Sequence, residues 1–289
     1  MAYLKKLFSP IMWMLQLIQN NFKAMIFLLL LFLIFVPDSE QTLTPNNLQQ
    51  INLFGPIMEV TEVVEQIEKA RLNDGIKGVL LVVDSPGGAV APSVEVAYAI
   101  KRLTKAKPVV VYARGTIASG SYYASIWASE IIVNPGSMVG SIGVVMQGAD
   151  LSGIMDTLGI KTQSVQAGKY KQVGATDRAW ADYEVDELNK VINGTYKMFT
   201  KDVADARKLD IKDVDKFANA HIFTALQAKE VGLVDALGVS YDAKVRVLKL
   251  SGVTHPIWNK EDKIDKIMKK LSATTAITLH TYFPSLVLK

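Results

Sequence analysis

Hydrophobic positions in this chain follow two patterns. An unbroken apolar block near the start gives way, after a polar stretch, to short apolar runs alternating with amphipathic segments. Gly78 to Val83 (GVLLVV) and Pro108 to Tyr112 (PVVVY) are continuous apolar runs, the pattern of strands buried on both faces. Gln50 to Phe54, ended by Gly55-Pro56, and Ile131 to Val133 read as further strands. Thr61 to Leu72 sets Val63, Val64 and Ile67 on one helical face, with Thr61 as its N-cap. Pro92 to Thr104 reads as a helix with Pro92 in its first turn, and Ser119 to Ala128 has helical composition. Asp182 to Lys208 is a long amphipathic helix, or two, and Thr224 to Glu230 begins another that ends at Gly232. Val245 to Leu250 closes as a strand. The alternation predicts an α/β fold with a parallel-rich sheet flanked by helices.

The apolar block, Ala24 to Val36 (AMIFLLLLFLIFV), has thirteen residues and no polar face. With Phe22, a snorkelling Lys23 and Pro37 it reaches roughly 16 positions, enough to span a locally thinned bilayer. Val36-Pro37-Asp38-Ser39 lacks the small-x-small pattern of a cleavage site, so an uncleaved signal anchor is expected over 24–37. Ile11 to Ile18 reads as an interfacial amphipathic helix ahead of it. Lysines before the span and Asp38 and Glu40 after it orient residues 1–23 toward the cytoplasm. A single-pass protein of the inner, cytoplasmic membrane follows, its larger part on the extracytoplasmic side. A polar linker (38–48), one domain (49–250) and a charged amphipathic tail (251–289) complete the expected organisation.

Net charge is +4, and three of those charges are Lys5, Lys6 and Lys23 in a stretch without acids. The remainder is nearly neutral, which argues against a nucleic-acid partner. The chain has no cysteine, so disulfides, thiolate zinc sites and a cysteine nucleophile are all excluded. No metal or cofactor motif is present; Gly87-Gly88 is not a phosphate loop, because no Gly-Lys-Ser/Thr follows.

Two glycine-bearing turns carry candidate chemistry. Asp84-Ser85-Pro86-Gly87-Gly88 follows one buried strand and precedes a helix, which leaves backbone N–H groups open to an anion or a polarised carbonyl. Ala118-Ser119-Gly120-Ser121-Tyr122-Tyr123 follows the other strand and an Arg114-Gly115 turn. A serine at such a junction is either a helix N-cap or a nucleophile held at the sheet's carboxyl edge, with the Gly120 N–H beside it. A nucleophile needs a base. His221, His255 and His280 lie far downstream without an obvious orienting acid, so a Ser-His-Asp triad is weakly supported. A lysine base is the alternative, with Lys171 or Lys169 as candidates; its amine must be desolvated until it is neutral near pH 7–8.

These motifs in order, with Gly140-Ser141-Ile142-Gly143-Val144, Gly168-x-x-Lys171 and Ala228-Lys229-x-x-Gly232-Leu233-Val234-Asp235, resemble the signal peptide peptidase A (protease IV) family. The resemblance runs from about Ile51 to Gly238 and is to the half-length, single-domain members. It implies a Clp/crotonase-like fold and a Ser-Lys dyad. Ser119 matches the nucleophile, Lys171 the general base, and Ser141 the serine that hydrogen-bonds that lysine. Gly88 matches the oxyanion-hole glycine, with the Gly120 amide as second donor. In this family the serine and lysine can come from neighbouring protomers of a homo-oligomer. Ser121 departs from the pattern, standing where the family usually has a second glycine. The implied activity is a membrane-anchored serine endopeptidase, without cofactor, acting on signal peptides and other small apolar peptides. A quality-control protease of membrane proteins, and a non-proteolytic crotonase-like scaffold or acyl-CoA enzyme, are the competing readings.

Overall fold

The computed structural model describes residues 21–28 and 45–259. The chain divides into two units, Met1–Pro45 and Asn46–Lys289. In the first, residues 21–28 are helical. Among the described residues no helix is long and apolar enough to cross a membrane. Most of the expected anchor (24–37), the segment Ile11 to Ile18, His280 and the tail beyond residue 259 lie outside the described residues.

The second unit is built on β1 (Leu48–Phe54), β2 (Gly78–Ser85), β3 (Val109–Ala118), β4 (Glu130–Val133) and β7 (Ala236–Leu237), adjacent in that order and all parallel. The period-2 alternation of the buried strands sorts their side chains onto two faces. Val79, Leu81, Val83, Val109 and Val111 enter one core with helices α1 (Thr61–Leu72), α2 (Val90–Thr104), α3 (Gly120–Ser125) and α5 (Asp182–Arg207). Leu80, Val82, Val110 and Tyr112 face the opposite way, onto Ala243 and Val247 of α8 (Ser240–Ser251). Full burial of each aliphatic side chain contributes about 1.5–3 kcal/mol, so both faces of the central strands are anchored.

Strand β3 forks the sheet. Its first half pairs with β4, while Thr116–Ala118 pair in parallel with β5 (Met138–Gly140), which in turn pairs antiparallel with β6 (Ile222–Thr224). The expected turn at Arg114-Gly115 is instead a bulge inside one bent strand: the β2–β3 register shifts between Val83 and Ser85. Asp84 fills the irregularity. Its carboxylate accepts the Thr116 N–H (3.0 Å) and pairs with Arg114 (3.2 Å). A Cβ on Gly115 would lie 2.5 Å from Asp84 Oδ1, so a side chain there would push the carboxylate away from the bonds it makes in the bulge.

Three further expectations are corrected. Val245 to Leu250 is helical: Ala243 and Val247, four residues apart, are fully buried on one face of α8, and Gly252 ends it at φ +68°. Thr61 is not an N-cap but the first helical residue. Glu59 caps instead, accepting the Thr61 N–H (2.8 Å) and its hydroxyl. Strand β1 begins at Leu48, and the chain returns to it from the far end, with Trp258 bridging Leu48 and Asn259 accepting the Gln50 N–H (2.7 Å).

Candidate active site

The site forms where β2, β3 and β5 end together. Register places Ala118 opposite Gly140 on neighbouring parallel strands, so Ser119 and Ser141, one residue further on, emerge side by side. Both have positive φ, +53° and +51°. For a residue with a Cβ this conformation costs about 1–3 kcal/mol and persists only when surrounding bonds hold it. They do. The Ser119 N–H donates to the Gly140 carbonyl (2.8 Å), the Tyr123 N–H donates to the Ser119 carbonyl (3.0 Å), and the Ser141 N–H donates to the His221 carbonyl (2.7 Å). Ser119 occupies the N-cap position of α3, yet its hydroxyl caps nothing. The strained turn therefore presents a hydroxyl that helix formation does not consume.

The turn after β2 packs against it at backbone distance. A Cβ on Gly87 (φ +93°) would lie 2.6 Å from the Gly120 nitrogen and 2.9 Å from Ser119 Cβ. One on Gly120 would lie 3.2 Å from the Gly88 nitrogen and 2.2 Å from Ser93 Oγ. Gly88 is itself threaded against Ile57, whose N–H donates to the Gly87 carbonyl (2.8 Å) and whose carbonyl accepts the Ala89 N–H (2.8 Å). Neither the Gly88 nor the Gly120 N–H has a partner among the described residues. Two unpaired amides thus sit beside one hydroxyl.

Ser119, Gly88, Gly120 and Ser141 all line one cavity of about 210 Å³. Its other walls are mainly apolar: Val90 and Val94 of α2, Tyr123 of α3, Val144, and Met198 and Phe199 of α5. Tyr123 stands edge-on to Phe199 (5.0 Å between centroids) and donates its hydroxyl to Asp202. Burial, then the Asp202 carboxylate, pushes the Tyr123 phenol far above its usual range, so it stays a neutral wall. The amphipathic stripe of residues 182–208 predicted a buried face. The contribution of Met198 and Phe199 to this cavity was not legible, because their neighbours come from elsewhere in the chain.

Lys171 is not among the cavity residues. It is exposed on the segment between Ser141 and α5, with its N–H bonded to the Gly168 carbonyl (3.3 Å). Lys169 lies over the Tyr183 ring at 4.6 Å. His221 is exposed and packs against Phe223 at a sheet edge, and His255 is exposed near the end of the described region. The downstream motif is structural: the Leu233 carbonyl accepts the buried Tyr122 hydroxyl (2.8 Å), and Asp235 accepts the Ile131 N–H (2.7 Å) and pairs with Arg207 (2.8 Å). Ser121, the departure from the family pattern, is fully buried and does not line the cavity. Among the described residues no cluster of His, Asp or Glu could hold a metal ion.

A serine on a strained strand-to-helix turn, facing two open amides over an apolar cavity, is the layout of a serine hydrolase. Residues 101–254, more than half of the chain, match the model of peptidase family S49, and the chain belongs to that family. The matched span includes Ser119, Ser141 and Lys171. Over 194 residues the chain is 43% identical to a candidate protease of Methanocaldococcus jannaschii, covering 67% of this chain and 61% of that protein. It is 32% identical over 179 residues to a candidate signal peptide peptidase SppA of Enterococcus faecium, covering 62% and 52%. The chain therefore spans about half to three fifths of these two relatives. A ClpP1 mutant from Listeria monocytogenes aligns with 67% of this chain and 93% of its own at 16% identity, with a TM-score of 0.45.

Proposed function

We propose that this protein is a membrane-anchored serine endopeptidase with a Clp/crotonase-like domain, a Ser119–Lys171 dyad and apolar peptide substrates, signal peptides among them. The observation that carries the reading is the strained Ser119 beside the unpaired Gly88 and Gly120 amides. In the mechanism the neutral Lys171 amine takes the Ser119 proton as Oγ attacks the scissile carbonyl. The two amides hold the developing oxyanion, each worth about 2.7–4 kcal/mol in the transition state. The Lys171 ammonium then protonates the departing amine, and water hydrolyses the acyl-enzyme. Ser141, beside Ser119 at the strand ends, is suited to hold the lysine amine by its hydroxyl.

A lysine in water is protonated and accepts no proton. Because Lys171 is exposed in the single chain, the reading includes a homo-oligomer in which a neighbouring copy brings Lys171 to Ser119 and strips its water. The proposed anchor over 24–37 keeps the domain at the extracytoplasmic face of the membrane, next to its substrates. Labelling isolated membranes with a fluorophosphonate probe tests the proposal. Wild type is expected to label and to stay membrane-bound through an alkaline carbonate wash, and Ser119→Ala is expected not to label. Equal labelling of Ser119→Ala would refute the nucleophile, and release by carbonate would refute the anchor.

A further inference from the structure

Oxyanion catalysis requires both donors to meet one oxygen, yet here they hang on different strands: Gly88 follows β2 and Gly120 follows β3. The ladder between these strands is broken just upstream, between Val83 and Ser85, and resumes with the single pair Ser85↔Ile117. Ser121 spans the gap beyond it. Its Oγ accepts the Ala118 N–H (2.9 Å) and lies 2.7 Å from the Ser85 carbonyl and 2.9 Å from the Ala118 carbonyl. With one proton to give, the hydroxyl donates to the nearer Ser85 oxygen and so ties the last residue of β2 to the last of β3. Ser85 passes the constraint on, because its own Oγ accepts the Gly87 N–H (3.2 Å). The path runs from the nucleophile's turn to the oxyanion turn through fully buried groups.

We propose that Ser121 is a positioning residue, whose buried hydroxyl fixes the turn carrying Ser119 against the turn carrying Gly88. The inference rests on the reading of Ser119 as nucleophile. Replacing Ser121 by alanine removes the hydroxyl that joins the Ala118 N–H to the Ser85 carbonyl and leaves the single Ser85↔Ile117 pair to hold the two turns together, so the two amides lose their common aim. Misplacement of reacting groups by about 1 Å costs on the order of a hundredfold in rate. A purely structural hydroxyl would act otherwise: its loss would lower the unfolding temperature while every surviving site kept the wild-type turnover.

The test measures kcat and KM on an apolar peptide reporter, and the rate constant of fluorophosphonate inactivation, for the full-length protein and Ser121→Ala. Active sites are counted by probe titration at completion. The expected result is a fall of about tenfold to a hundredfold in kcat per titrated site and in the inactivation rate constant, with KM held within about twofold. A kcat per site within about twofold of wild type would overturn the proposal. Should Ser121→Ala not fold, Ser121→Gly removes the same hydroxyl and is judged by the same criterion. Ser119→Ala, run in parallel, separates the two readings. Activity retained there refutes the nucleophile, whereas an inactive Ser119→Ala beside an unimpaired Ser121→Ala refutes only the positioning role.

Discussion

A hydroxyl and two amides do the proposed chemistry, and glycines make their approach possible. The two oxyanion glycines differ in what a side chain would meet. A Cβ at Gly88 would lie 2.2 Å from the Ile57 carbonyl oxygen and 2.6 Å from its nitrogen, both backbone atoms that cannot swing aside. Gly88→Ala is therefore expected to displace the turn and lower kcat/KM by at least about a hundredfold. A Cβ at Gly120 would instead meet Ser93 Oγ, a side chain held by its bond to the Ala89 carbonyl (2.8 Å). Adding Ser93→Ala to Gly120→Ala is expected to recover about tenfold of the lost rate, whereas removing Ser93 leaves Gly88→Ala impaired. Wild-type kcat/KM in Gly88→Ala would show that its amide binds no oxyanion. The strand–turn–helix around Ser119 was legible in the sequence, because the apolar run, the small residues and the glycine adjoin. That Ser119 and Ser141 share an edge was not, since it depends on the Ala118↔Gly140 register between separate strands.

At the scale of elements, legibility followed the length of the signal. Runs such as GVLLVV and PVVVY gave their strands directly. The six residues Val245 to Leu250 (VRVLKL) are a short, mostly apolar run that reads as a strand, and only a window back to Ala243 brings out the helical spacing. The fork in β3 was hidden because Asp84, thirty residues away, makes the bulge possible. An ion pair between a buried carboxylate and a partly exposed arginine sets the start of α5. Glu184, fully buried, accepts the Ala181 N–H (2.9 Å) and two bonds from Arg178 (2.6 and 2.8 Å). Arg178, then the Ala181 amide, lowers the Glu184 carboxyl to about 2. A depressed carboxylate stabilises the fold above its unfolded pKa, and that stability is lost as pH falls through its folded value. Thermal unfolding of the wild type is thus expected to drop between about pH 4.5 and pH 2, and Glu184→Gln to show a shallower acid limb. Parallel acid limbs would remove Glu184 from the account.

Across the whole molecule, the segment from Val145 to Tyr170 stands apart from the well-packed sheet. Val145, Ile154, Leu158, Ile160 and Val165 are all exposed along it, apolar surface available to the neighbouring copy that the proposed dyad requires. Lys171 closes that segment. Alternation and period describe one chain folding on itself, so they are silent about a residue whose proposed partner belongs to another copy. Mixed assemblies address this directly. Ser119→Ala and Lys171→Ala are each expected to be inactive alone, and their co-assembly at equal amounts to restore roughly a quarter of wild-type activity, the fraction of sites that pair an intact serine with a neighbour's intact lysine. Mixed oligomers that form but stay inactive would contradict a dyad shared between copies.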